Sequence, residues 1–416
     1  MKQDNKPLSG IRVLDVSQAA SGPLCGAWLA ALGATVIKIE RPDTGDMARR
    51  TPPYASAAGV AARPGGAAIS STVLKRNRDK ESVALDLGHP EGARLLRELV
   101  KSADVFLENF KPGATARLSI DYDSLKAIKP DLIYCSITGF GLSGPYKDWM
   151  AFDTIIQGTT GVMATTGELD GPPTKAGLIV GDTYSPLFAL SGILAALRQR
   201  DRTGAGQFIE VSMFDCLSHL VWDEPIEFYV ENGVKGRSGN RFLRMAPWNA
   251  YPAADGHVVI CAGQQAHYHR VCELVGQPEL SHDARFASME DRLRNHDQLD
   301  AIVARWTAAR PRAAIVAACQ EMGIPCGPVS ELPDLVKDPQ LAERGMMKPL
   351  VHPTEGTVPG ARAADFPVRF SGFSADHVAP APVLGQHTAK VLGGELGVSA
   401  ERLAELAQQG VIKLAG

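Results

Sequence analysis

The chain reads as an α/β protein on a parallel sheet, with a smaller second domain. Residues 1–215 alternate strand-like and helix-like runs. One strand, helix and second strand follow each other between Ile11 and Ile39, a βαβ unit and hence parallel pairing. Near Asp223 the alternation stops, and loop-like sequence leads into a run of helices. A length of 416 residues suits two or three domains of about 100–200 residues each.

Ile11–Val16 is a short β-rich run, followed by the loop Ser21-Gly22-Pro23 and a helical stretch that Gly33 stops. Thr35–Ile39 is the second strand. Residues 52–70, rich in Pro, Gly and Ala, read as a surface loop. Ser82–Leu87 is a strand, and Pro90 then opens a helix with Leu95, Leu96, Leu99 and Val100 at helical spacing. Asp104–Leu107 and Leu132–Thr138 are further strands. Ser185–Arg200 is the clearest helix, with Ser185 as N-cap, Pro186 in the first turn, and Arg198 and Arg200 at the cation-favouring end. Gly206–Met213 is the next strand.

Residues 235–256 read as loop, and Val258–Cys261 as a short strand. Helices are expected at 265–275, 291–308 and 313–322. The domain boundaries expected are 1–224 for the first part of the large domain, 225–330 for the small one, and 331–416 for a linker and return. Residues 331–375 read as irregular, residues 378–382 as a Pro-rich linker, and the C-terminus as short helices.

Charge is nearly balanced, at −3, so neither a broad nucleic-acid surface nor a polybasic membrane anchor is expected. The polar segment Met1–Leu8 does not read as a signal peptide, and no run of 18 apolar residues suggests a membrane span. Seven scattered cysteines, with no C-x-x-C pair, read as buried reduced thiols and point to a cytoplasmic location.

The first strand meets Gln18-Ala19-Ala20-Ser21-Gly22-Pro23, without the G-x-G-x-x-G of dinucleotide-binding folds. Absence of a P-loop disfavours an NTPase and absence of G-x-S-x-G a serine hydrolase, and no H-E-x-x-H or Cys/His cluster suggests a metal. Polar residues follow strand ends, where open α/β sheets bind ligands: Glu40-Arg41, Glu108-Asn109 and Gly181-Asp182. Arg41 suits a phosphate, although a plain surface charge satisfies the same pattern. Asp182 stands three residues ahead of the expected cap, beside a glycine that lets backbone approach a ligand. At an ordinary pKa near ~3.9 it is an available carboxylate nucleophile; an unremarkable loop aspartate fits equally.

Together these segments resemble the family III CoA-transferases, the group that includes formyl-CoA transferase and carnitine CoA-transferase. The matching stretches include Leu8-Ser9-Gly10-Ile11-Arg12-Val13-Leu14-Asp15, the run from Leu32 to Pro42, and Ser82-Val83-Ala84-Leu85-Asp86-Leu87. Ala103 to Phe110, Gly181-Asp182, Arg202 to Gln207, Gly323 to Val329 and Leu384 to Thr388 continue the match in order. The resemblance implies a doubly wound large domain, a smaller α+β domain, and two chains interlocked as a homodimer. It implies that Asp182 attacks an acyl-CoA thioester, giving a mixed anhydride and then an aspartyl-CoA thioester. CoA thioester is then a substrate, with no tightly bound cofactor, and the partners are acyl-CoA and a carboxylic acid, with succinyl-CoA a frequent donor.

The same resemblance assigns Arg41 and Arg117 to the CoA nucleotide or its phosphates, and Leu85 and Asp86 to the adenine. It places Asn109 and Phe110 beside pantetheine or phosphates, and Asp153 near the reacting end. Gly263 and Gln264 fall in the stretch matching a water-excluding loop, here poorer in glycine. Ala20 replaces a thioester-side glutamine of formyl-CoA transferase, and Met150 and Gly88 replace basic CoA contacts, which disfavours formyl-CoA and oxalate. Arg49, Arg241 and Arg244 are candidates to pair a distal carboxylate. The alternatives are an α-methylacyl-CoA racemase, disfavoured because Phe152 stands where racemases carry His, and a CoA-binding protein without catalysis.

Overall fold

Seven strands build the main sheet: β1 (Arg12–Asp15), β2 (Thr35–Glu40), β3 (Lys80–Leu85), β4 (Val105–Glu108), β5 (Ile133–Thr138), β6 (Gln207–Ser212) and β7 (Ile412–Lys413). The computed structural model describes residues 5–415. The strand order is β7-β3-β2-β1-β4-β5-β6. Strands β1–β6 pair in parallel, with Val13 opposite both Val36 and Val105. Only β7 runs antiparallel, placing Ile412 opposite Leu85 at the edge. The order 3-2-1-4-5-6 is that of doubly wound nucleotide-binding sheets, whose switch point lies between β1 and β4.

Both sheet faces are buried, as parallel sheets require. Leu14, Ile37, Phe106 and Tyr134 pack with Leu95, Leu96 and Leu99 of the helix Pro90–Val100. Leu392 and Leu403, from the C-terminal helices Thr388–Gly394 and Ala400–Gln408, join the same core. The alternate residues Val13, Val36, Val105 and Ile133 are also sequestered, toward the opposite face.

The helix Val180–Thr203 packs on β5 and β6 and on the helix Ser21–Ala31. It is long and apolar enough, by length and composition, to cross a bilayer. It starts five residues before the expected cap at Ser185, and Pro186 lies inside it. The reason is tertiary: Asp153 Oδ1 accepts the Gly181 and Asp182 N–H groups at 2.7 and 3.3 Å, a cap no local pattern announces. Ser185 Oγ donates instead to Gly181 O at 2.8 Å. Pro186 has no N–H for the Asp182 carbonyl, four residues back.

Residues 52–70 are not a plain loop. Tyr54–Ser56, Gly59–Ala61 and Ile69–Ser70 form a small antiparallel sheet. Residues 331–375 are likewise ordered, with a hairpin of Met347–His352 and Gly356–Ala364. Ala55, Leu74, Leu350, Val358 and Ala381 close one core between these pieces. Contacts far apart in sequence stabilise both, so composition alone conceals them.

The chain divides into two compact units. One holds residues 5–160, 177–224 and 340–415; the other holds 161–176 and 225–339. Residues 161–176, assigned above to the large domain, thus cluster with the second unit. In that unit Trp248–Ala253, Gly256–Cys261 and Cys326–Pro328 form an antiparallel sheet, so part of the expected 235–256 loop is strand. Tyr251, Val258, Ile260, Val271, Val303 and Ile315 make its core. The expected 291–308 helix is two, Met289–Arg294 and His296–Ala308, parted at Asn295. All seven cysteines are free; Cys261 and Cys326 are partly exposed and the others buried.

Candidate active site

The chain leaving β1 and the chain leaving β4 meet at the switch point. Asn109 Oδ1 accepts the Gln18 N–H at 2.7 Å, and Asn109 Nδ2 donates to Gln18 O at 2.8 Å. The side chain assigned above to CoA therefore braces the loop between the two strands. Beside this brace lie two cavities that share Gln18 and Phe110.

One cavity, of about 430 Å³, is lined by Arg41, Leu85, Asp86, Gly88, Phe110 and Leu118, among others. Four residues assigned to CoA by resemblance thus surround one space. Arg41 is exposed and loosely paired with Asp43 at 3.3 Å. Asp86 Oδ1 accepts the Gly88 N–H at 2.9 Å, which closes the turn after β3. Arg117 lies on an exposed turn, Ala114–Arg117, and lines neither cavity.

The other cavity, of about 340 Å³, contains Asp182 together with Ala19, Ala20, Asn109, Phe110, Lys111 and Met213. Trp149, Met150 and Phe152 form an exposed apolar wall. Ala20 is buried at the start of the helix Ser21–Ala31. Asp182 sits in the first turn of its helix rather than in a preceding loop. Its carboxyl is raised to about 6, first by burial and then by the Asp153 charge, against an opposing pull from Arg76. The expected ordinary pKa is thus corrected: burial and a like charge outweigh the pull of Arg76.

Asp153 is buried and lines neither cavity. Besides the two backbone N–H groups, it accepts Gln157 Nε2 at 2.6 Å on Oδ2. It therefore orients the helix start that presents Asp182. Gly181 is small for the same reason. A Cβ there would stand 3.2 Å from Asp153 Oδ1 and 3.2 Å from Met213 Cε, so the close approach is to protein, not ligand.

Two arginines proposed for a distal carboxylate are already engaged. Arg49 donates to both Glu40 oxygens, at 2.6 and 2.8 Å. Arg241 pairs with Asp297 at 2.6 Å and Asp300 at 2.7 Å. Arg244 lies over the Phe242 ring. In the second unit Gly263 is buried, and a Cβ on it would lie 2.6 Å from Met245 Cβ. Gln264 is exposed and precedes the helix Gln265–Leu274. The buried Arg292 anchors this stretch, donating to Gln265 Oε1 at 2.8 Å and toward Gly263 O at 3.4 Å.

Sequence reasoning missed Arg76, Met47 and Met213. Arg76 Nη1 donates to Ala19 O at 3.1 Å and its charge reaches Asp182. No local motif marks it, because the strand and helix that intervene bring it there.

Comparison with known proteins identifies the family. The model of CoA-transferase family III matches residues 8–388. Succinate–glutarate CoA-transferase of Agrobacterium fabrum is 35% identical over 394 residues, covering 94% of this chain and 96% of that protein. Succinyl-CoA–D-citramalate CoA-transferase of Chloroflexus aurantiacus is 34% identical, covering 98% of each. A crystal structure of a CAIB/BAIF family protein from Brucella suis superposes with a TM-score of 0.82 at 35% identity, covering 94% of this chain and 99% of that one. The match over residues 8–388, together with the superposition over 94% of the chain, settles the relationship: the chain belongs to CoA-transferase family III.

Proposed function

We propose that this enzyme moves CoA from an acyl-CoA donor, of the succinyl-CoA type, to a dicarboxylic acid, with Asp182 as the covalent nucleophile. The observation that carries the reading is Asp182 in a cavity that shares Gln18 and Phe110 with the one around Arg41 and Asp86, at the switch point of the sheet. The substrate class draws on relatives named for glutarate, citramalate and mesaconate.

An Asp182 oxygen attacks the thioester carbonyl, the C–S bond breaks, and CoA leaves as thiolate. The product is a mixed anhydride between Asp182 and the donor acyl group. The thiolate attacks the Asp182 carbonyl, releasing the donor as a carboxylate and leaving an aspartyl-CoA thioester. The acceptor carboxylate attacks that thioester, forming a second anhydride and releasing thiolate again. Thiolate attack on the acceptor carbonyl then yields the new acyl-CoA and regenerates the Asp182 carboxylate. Each intermediate conserves the activation of the thioester, so no ATP enters. The anhydride needs water kept away, and the apolar side chains of Trp149, Met150 and Phe152, exposed in the free chain, offer bound acyl-CoA a surface to cover.

The same reading includes a homodimer with interlocked chains. Leu187, Phe188 and Leu194 on the helix Val180–Thr203, and Leu220 and Trp222 beyond it, are exposed apolar side chains that a second copy would cover. Light scattering of the purified chain is expected to give twice the monomer mass.

The decisive experiment sets a panel of acyl-CoA donors against mono- and dicarboxylic acids, read by mass spectrometry of the new thioester. Transfer to dicarboxylates, with hydroxylamine trapping an adduct at Asp182 and Asp182→Asn losing at least ~10³ in rate, is the expected result. Full turnover by Asp182→Asn would end the proposal.

A further inference from the structure

We propose that Arg76 is a positioning residue of the transfer centre, holding a left-handed turn at Ala19 and setting a positive charge against Asp182. The inference rests on Asp182 being the acylated group.

Arg76 ends the helix Ser71–Arg76 and is half-buried. Its Nη1 donates to Ala19 O at 3.1 Å. Ala19 has φ +66°, a conformation in which the Cβ of an L-residue crowds the backbone. On its other side, the Ala19 N–H is held by Asp46 Oδ1 at 2.9 Å. The strained residue is therefore clamped at both of its peptide groups. Ala19 and Ala20 form cavity wall beside Asp182. Strain of this kind persists where the surroundings over-determine it, and such places cluster at functional sites.

The electrostatics point to the same residue. The helix Asp153–Thr159 sets Asp153 against Asp182, and Arg76 is the opposing charge. Lys111 lines the same cavity. From the helix Met213–Val221, the neighbours at Gly181 are the apolar Met213 and Leu217. The helix Ser21–Ala31 carries no acidic or basic residue. Among the described residues, Arg76 makes no ion pair with Asp182 or Asp46, although both carboxylates attract it. Its charge thus favours ionised Asp182 without tying up the oxygens that must attack. A direct salt bridge would oppose that attack.

The test is the pH profile of kcat/KM for wild type, Arg76→Gln, Arg76→Met and Arg76→Lys with one acyl-CoA donor, alongside hydroxylamine trapping at Asp182. The neutral variants are expected to move the acidic limb up by about one pH unit, a roughly tenfold loss on that limb. Arg76→Lys is expected to leave the limb in place but raise the KM for acyl-CoA several-fold, because the shorter lysine stem does not carry its donor to Ala19 O, which Arg76 reaches through Nη1 alone. An unmoved limb in the neutral variants overturns the proposal, as does an Arg76→Lys enzyme with wild-type KM. Should the neutral variants not fold, the KM of Arg76→Lys decides alone. An adduct at Asp182 with an unmoved limb sinks this inference and spares the nucleophile. Absence of any adduct during turnover sinks both.

Discussion

Asp153 caps the helix that presents Asp182 and at the same time opposes its charge. One oxygen of Asp153 accepts the N–H groups of Gly181 and Asp182, while its negative charge adds to burial in raising the Asp182 carboxyl to about 6. Position and protonation of the proposed nucleophile are thus set by one buried side chain. Asp153→Asn keeps an acceptor oxygen and removes the charge. The acidic limb of the activity profile is expected to move down, toward the ordinary aspartate range, as the like charge disappears. Asp153→Ala also loses the cap and should cost about 1 kcal/mol in urea unfolding.

Glu108, at the end of β4, is pushed up to about 7 by burial, although Ser136 and the Phe110 N–H, at 2.6 Å, favour its charged form. An acid raised in the folded state holds its proton there longer than in the unfolded chain. Its contribution to stability therefore falls as pH rises from the ordinary glutamate range to about 7. Glu108→Gln is expected to remove that slope and to be more stable at pH 8 by on the order of 1–3 kcal/mol. Chemical denaturation at pH 5 and pH 8 checks the sign.

Under β1 lies a buried ionic network. Lys80 Nζ donates to Asp15 Oδ2 at 2.8 Å, Pro23 O at 2.8 Å and Asn77 Oδ1 at 3.0 Å, and Lys38 lies 3.7 Å from Asp15. Burial alone pushes Asp15 up, but Lys38 and Lys80 outweigh it and hold the carboxyl below its usual range. That stabilisation is present above the ordinary aspartate pKa and is lost as pH falls through the depressed one. Lys80→Met removes the nearer of two cations from a buried carboxylate that Lys38 still faces at 3.7 Å, and should cost about 3 kcal/mol, the low end for breaking a buried pair. Its unfolding midpoint in urea at neutral pH reports the loss.

Arg292 is enclosed in the second unit, stacked 4.5 Å from the Tyr268 ring centroid, with Nε donating to Ala246 O at 2.8 Å. It is also the tether of Gly263 and Gln265. Arg292→Met is expected to strip hydrogen-exchange protection from residues 262–266 first and to destabilise the unit by about 2–4 kcal/mol, since several carbonyls lose a donor together. Unchanged exchange across that stretch would contradict the tether.

Much of this molecule is legible along the chain. β-branched runs such as Thr35–Glu40 and Ile133–Thr138 announce buried parallel strands, and the 3.6-residue spacing of Leu95, Leu96 and Leu99 announces a helix face. The boundaries that moved are those set from afar. Val180–Thr203 begins early because Asp153 supplies its cap, and Pro186 sits inside because a helix already anchored tolerates one missing donor. Residues 52–70 become sheet because the hairpin at 347–364 gives Ala55 something to pack against.

The site divides along the same line. Residue order and near-neighbour preference select strand, turn and helix, and put Arg41, Asp86, Asn109 and Asp182 at element ends. Which charges face one another depends on where those ends converge in space. Arg49 and Arg241 looked available and are consumed by Glu40, Asp297 and Asp300, while Arg76, which no motif marks, is drawn electrostatically toward Asp182. Burial and Coulomb interaction act through distance in the fold rather than separation along the chain, so the ionisation of Asp182 is a property of the packed molecule.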